Sequence, residues 1–99
     1  MNLMESIIDI PNEHTKNVFG HIDAYVKIIE KTLNVTIVSR DGEIKVIGDA
    51  AQVAKAKSVF LNLVELSKRG NVITEQNVNY ALSLSYDNKE AAIVEIDQD

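Results

Sequence analysis

Short apolar runs broken by polar punctuation set the elements of this chain. Ser6-Ile7-Ile8-Asp9-Ile10 is closed by Pro11, which predicts a first strand, because proline donates no ladder hydrogen bond and ends the pairing. Asn12 is placed to cap a short helix running through Val18-Phe19, and Gly20 to end it. Asp23 then starts a second helix, in which Ile22, Val26, Ile29 and Leu33 recur at helical spacing while Lys27, Glu30 and Lys31 face elsewhere. Val35-Thr36-Ile37-Val38 and Ile44-Lys45-Val46-Ile47 flank Arg40-Asp41-Gly42-Glu43. Asp-Gly between β-branched runs predicts a hairpin.

Asp49 follows as the cap of a long helix, with Gln52 at the reciprocal capping position. Val53, Ala56, Phe60, Leu63 and Ser67 form one stripe, broadened by Val59, Val64 and Leu66. Lys68-Arg69 suit the dipole of its last turn, and Gly70 closes it. Thr74 opens a final helix through Val78, Ala81, Leu82 and Leu84. Beyond Tyr86 an apolar island, Ala91-Ala92-Ile93-Val94, sits in acidic surroundings. It reads either as a strand that needs a partner or as the start of a linker. Strand–helix–helix–strand–strand–helix predicts an α+β domain: a three-stranded antiparallel sheet with helices on one face, plus an extra C-terminal helix.

Ninety-nine residues that are 45% hydrophobic are enough for one self-sufficient core. The absence of cysteine excludes disulfides and thiolate metal sites and fits a reducing compartment. Residues 1–10 lack a basic start and a long apolar run, and no stretch is long enough to cross a bilayer. A soluble, cytoplasmic domain is expected. The net charge of −5 is uneven: residues 86–99 hold five acids and Lys89, whereas residues 1–85 hold ten acids and nine bases. A near-neutral body lacks the basic excess of a strong nucleic-acid binder.

Gly20-His21-Ile22-Asp23 has the form of a phosphate-approaching GxxG turn whose second glycine is aspartate. Phe19 to Lys27, continuing through Asn34-Val35-Thr36-Ile37, resembles the core of KH domains, the K-homology RNA-binding modules. Val46-Ile47-Gly48-Asp49-Ala50-Ala51-Gln52-Val53-Ala54-Lys55-Ala56-Lys57 is similar to that family's closing strand and helix start. The resemblance implies a KH-like fold of type I order, β-α-α-β-β-α. A narrower resemblance covers nearly the whole chain. Ile8-Asp9-Ile10-Pro11, Leu66-Ser67-Lys68-Arg69-Gly70-Asn71 and Ile73-Thr74-Glu75-Gln76-Asn77-Val78-Asn79-Tyr80-Ala81-Leu82 look like the N-terminal region of PhoH-family proteins.

In that family a KH-like domain precedes a P-loop ATPase domain acting on RNA, sometimes with nuclease partners. The resemblance implies a KH-like domain over residues 1–85 and an acidic tail or linker over 86–99 leading to the ATPase domain. ATP and Mg are implied only for that downstream domain, since no Gly-x-x-x-x-Gly-Lys-Ser/Thr occurs here. The expectation for this chain is a non-catalytic accessory domain. Its expected partners are single-stranded RNA, its own ATPase domain, and a nuclease or further copies of itself; no membrane is expected.

The candidate nucleic-acid-binding residues are Gly20, His21, Ile22, Asp23, Lys27 and Lys31. Gly20 permits close approach, the amides of residues 21–24 supply donors, and the lysines supply charge. The structural alternative makes Gly20 a helix terminator, Asp23 an N-cap on those same amides, and the lysines a solvated face. Lys55 and Lys57 are further bases expected near the groove. His14 and His21, the only histidines, lack neighbours at metal-ligand spacing, so no metal is expected. An alternative role is protein–protein interaction or oligomerisation through apolar residues such as Val38 and Ile47 on the second face of the sheet.

Overall fold

A computed structural model describes residues 3–40 and 42–86, with Ile22 by its backbone alone. The order is β1 (Leu3–Asp9), α1 (Asn12–Phe19), a 3-10 turn (His21–Asp23), α2 (Ala24–Leu33), β2 (Thr36–Arg40), β3 (Glu43–Asp49), α3 (Ala50–Lys68) and α4 (Glu75–Tyr86). The three strands form one antiparallel sheet in the order β1-β3-β2. This is the α+β, β-α-α-β-β-α arrangement expected, with α4 as the extra C-terminal helix. The acidic segment 87–99, with its apolar island, lies outside the described residues, as does Asp41.

Strand alternation sorts the sheet into two faces. Ile8, Ile44 and Val46 point inward and are buried, with Ile37 half-buried beside them. The helices cover that face. On α2 the predicted stripe holds at Val26, Ile29 and Leu33. On α3 it holds from Val53 to Ser67, and Phe60 and Leu63 are wholly buried. The final helix buries Val78, Ala81, Leu82 and Ser85. Ser85 sits in the core because its hydroxyl donates to the Leu82 carbonyl at 2.6 Å, which removes the cost of burying it.

Several ends differ from the sequence reading. The first strand begins at Leu3 rather than Ser6, because β3 extends to Asp49 and pairs with β1 along its length (Leu3 opposite Asp49). Pro11, not Asn12, is the N-cap of α1; Asn12 stands at N1. Asp49 occupies the N-cap of α3 in extended conformation, but makes no capping hydrogen bond. Gln52 turns away to donate to the Leu33 carbonyl at 2.9 Å and so ties the end of α2 to the start of α3. The later ends follow their sequence. Gly70, at φ 93°, completes a Schellman closure of α3, with Gly70 N–H on the Ser67 carbonyl and Asn71 N–H on that of Leu66. Thr74 and Asn77 cap α4 reciprocally: each backbone N–H donates to the other's side-chain oxygen, at 2.9 and 3.2 Å.

The capping pair predicts that Thr74→Ala lowers the unfolding free energy by about 1 kcal/mol, read as a lower urea midpoint at an unchanged slope.

Candidate nucleic-acid interface

The turn at residues 20–23 is built on a glycine that no other residue replaces. Gly20 has φ 82° and ψ 174°, a region essentially reserved for glycine. A Cβ there would lie 2.7 Å from Cδ2 of the Tyr25 ring. The ring therefore fills the space a side chain would need, and the Tyr25 hydroxyl donates to the Ile73 carbonyl at 3.0 Å. Gly20 also ends α1, its N–H donating to the Lys16 carbonyl.

Asp23 departs from its expected role. It stands at the N-cap position of α2, but with φ 55° and ψ 31°, and makes no side-chain capping hydrogen bond. An N-cap normally adopts extended backbone, from which its carboxylate reaches the helix amides. The left-handed backbone is the one that a second glycine of a GxxG turn adopts freely, and aspartate is among the few other residues that tolerate it. The competition expected between carboxylate and phosphate for the same amides does not arise. The 3-10 turn itself takes two of them: Asp23 N–H donates to the Gly20 carbonyl and Ala24 N–H to that of His21. The amides left to a ligand are those of His21 and Ile22, at the start of the turn.

A cleft opens at this turn, lined by Thr15, Lys16, Phe19, Gly20, His21 and Asp23. It brings together Gly20, His21 and Asp23 of the six expected residues; the side chain of Ile22 lies outside the described residues. Lys16 and Thr15 join them unforeseen. Lys16 lies one helical turn before Gly20, so its membership was readable from spacing once α1 was taken as helical up to the turn. Lys27 and Lys31 are exposed on α2 at i, i+4. Glu30 shares the flank of α2 that meets the edge of β2, for its Oε2 accepts the Ile37 N–H at 2.8 Å. The wall running from the turn to β2 thus mixes Lys27 with Asp23 and Glu30. Lys55 belongs elsewhere: it donates to Gln52 and lies 4.7 Å from the centre of the Tyr86 ring. Lys57, on α3, is exposed but does not line the cleft.

A second network holds the turn's surroundings in place. Asn17 donates to Ser67 Oγ (2.8 Å) and to the Asn71 carbonyl (2.7 Å), and accepts from Ile73 N–H (2.8 Å). The same Ser67 hydroxyl is hydrogen-bonded to His14 Nδ1, 2.6 Å away. His14 is thereby a structural histidine. Among the described residues no group of three or more His, Asp or Glu could hold a metal ion.

No protein-family model matches the chain. It is 33% identical over 73 residues, 74% of its length, to a PhoH-like protein of Bacillus subtilis. The chain is a relative of PhoH-like proteins. A PhoH-like protein of Mycobacterium tuberculosis is 25% identical over 81 residues. The chain spans 23% of the length of these PhoH-like relatives. Among solved structures, a protein of unknown function from Aeropyrum pernix superposes with a TM-score of 0.69 at 15% identity, covering 97% of this chain and 53% of that one. Dim2p from Pyrococcus horikoshii gives 0.64 at 20% identity, covering 80% of this chain and 48% of its own. At such identities these two share the fold.

The geometry of the turn separates two substitutions. Gly20→Ala destabilises the domain by about 2–3 kcal/mol, through backbone strain and the clash with Tyr25. Asp23→Gly leaves stability within about 0.5 kcal/mol, since glycine adopts the left-handed backbone freely and only unfolded-state entropy opposes it. A loss of about 1 kcal/mol in Asp23→Gly, measured by urea unfolding, would restore Asp23 as an energetic cap.

Proposed function

We propose that this chain is a non-catalytic accessory domain of a PhoH-like protein, placed ahead of an ATPase domain, that holds single-stranded RNA weakly and positions it for that domain. The observation that carries the reading is the turn. Gly20 has a glycine-only backbone, Asp23 a glycine-like one, and the amides of His21 and Ile22 open the turn without a capping carboxylate on them. Lys16, Lys27 and Lys31 supply the charge that a phosphate backbone needs. Asp23 and Glu30 subtract from it, which makes the grip weak rather than absent. ATP and Mg belong to the downstream domain in this reading.

Affinity for a single-stranded ribo-oligomer at low salt tests it. Two phosphate contacts on single-stranded RNA give a slope of about −1.4 in log K against log salt. Lys27→Ala and Lys31→Ala weaken binding and flatten that slope, while Asp23→Gly tightens binding by removing a carboxylate beside the turn. Absence of binding by the wild type and by Asp23→Gly, both folded, contradicts the proposal.

A second reading is favoured by the outer face of the sheet. Leu3 is 70% exposed, Ile7 58% and Val38 42%. Ile7 and Val38 flank Lys45 directly across the strands, and Lys45 lies 3.9 Å from Glu5. Exposed apolar side chains therefore stand on both sides of the Lys45–Glu5 pair on this face, an apolar surface that a partner could cover. If it serves self-association, sedimentation shows a mass that rises with concentration and falls back to the monomer in Ile7→Asp. A monomer at every concentration excludes self-association through this face.

A further inference from the structure

The edge of β2 that faces α2 is already occupied by the chain itself. Among the described residues β2 pairs only with β3, so its other edge carries backbone groups without a strand partner there. In an antiparallel ladder the N–H and C=O of one residue point to the same side. Ile37 donates its N–H to Glu30 Oε2 at 2.8 Å, so both its backbone groups point away from β3 and toward α2. Glu30 also supplies its main-chain carbonyl to the N–H of Val35, at 3.1 Å. One residue thus satisfies two successive outward donors of this segment, one with its carbonyl and one with its carboxylate. The carboxylate is half-buried, lies one helical turn beyond Lys27, and stands about 10 Å along the helix axis from the turn at Asp23.

We propose that Glu30 is an internal competitor for the β2 edge: its carboxylate must leave the Ile37 amide before a base of single-stranded RNA can use that donor. The inference rests on the RNA reading above. A strand gripped at the turn and running along α2 reaches a donor–acceptor pair, the Ile37 N–H and C=O, of the kind that an exposed base edge matches. The donor half is closed by a charge-assisted bond, which is stronger than the neutral bond a base would offer in exchange. The carboxylate also repels the incoming phosphates. Affinity is therefore held low by the protein's own side chain as well as by the small number of lysines.

Two substitutions separate these effects. Glu30→Gln removes the charge but keeps an oxygen that accepts from Ile37; Glu30→Ala removes both. With a mixed-sequence single-stranded ribo-oligomer, Glu30→Ala is expected to tighten binding about tenfold over the wild type. Glu30→Gln is expected to tighten it by clearly less, with the gap between the two persisting as salt rises. Equal gains in the two variants would reduce Glu30 to a repelling charge and overturn the proposal. So would an unchanged or weaker affinity in a folded Glu30→Ala. Wild-type binding without a gain in Glu30→Ala sinks this inference alone, whereas no binding by any folded variant sinks the RNA reading with it. A measurement on the wild type covers the case in which Glu30→Ala does not fold. On adding the ribo-oligomer, the Ile37 amide and the Glu30 side-chain carboxyl carbon resonances move together, and a stationary pair at saturation overturns the proposal.

Discussion

The contact between the Tyr25 ring and the bare Cα of Gly20 is the constraint on which the rest of this structure depends. It fixes the turn, because a Cβ at Gly20 would fall within 3 Å of three ring atoms. It also fixes what lies behind the turn, since the same tyrosine reaches the carbonyl of Ile73 and pins the connection between α3 and α4. Asn17 grips that connection from α1 through Asn71 and Ile73. The two helices that meet at the turn are thus each tied to the connection between α3 and α4. The turn is held from below.

That support changes what the aspartate at the end of the turn means. In an unsupported turn, an aspartate before a helix is best used as a cap, with its carboxylate on the helix amides. Here the Asp23 backbone is left-handed, the 3-10 turn uses the amides of Asp23 and Ala24 internally, and the carboxylate is left at the rim of the cleft. Its cost to a bound phosphate is a charge effect, which salt screens, and not an occupied donor. The occupied donor lies further along, at Ile37, whose N–H donates to Glu30 Oε2.

Most of the fold was legible because its periods are long and its stops are chemically distinct. The α3 stripe runs over about four turns, and Gly70 closes that helix by the motif its position implies. Thr74 caps α4 with a partner three residues on, as local chemistry requires. Where two local roles suited one residue, sequence could not choose. Asp23 is acceptable both as an N-cap and in the left-handed region, and it takes the left-handed backbone without a side-chain cap. Gln52 suits a capping box equally well, but the open carbonyl of Leu33 takes it. The ties from Asn17 and Tyr25 span 48 to 56 residues, and nothing local announces a bond at that range. Of the cleft lining, Gly20, His21 and Asp23 were readable as a motif, whereas Lys27 and Lys31 stand on α2 outside that lining. Lys16 and the Glu30–Ile37 bond needed the packing of α1 and α2 against their neighbours.

In the proposed mode, single-stranded RNA lies between the turn and the β2 edge, along α2. The most direct measurement is a map of backbone amide chemical shifts on titrating a short single-stranded ribo-oligomer into the domain at low salt. The account predicts that the responsive amides cluster at His21, Ile22, Lys27 and Ile37, with the outer-face residues Ile7, Lys45 and Val38 unmoved. Shifts concentrated on that outer face, or none at all, would contradict it.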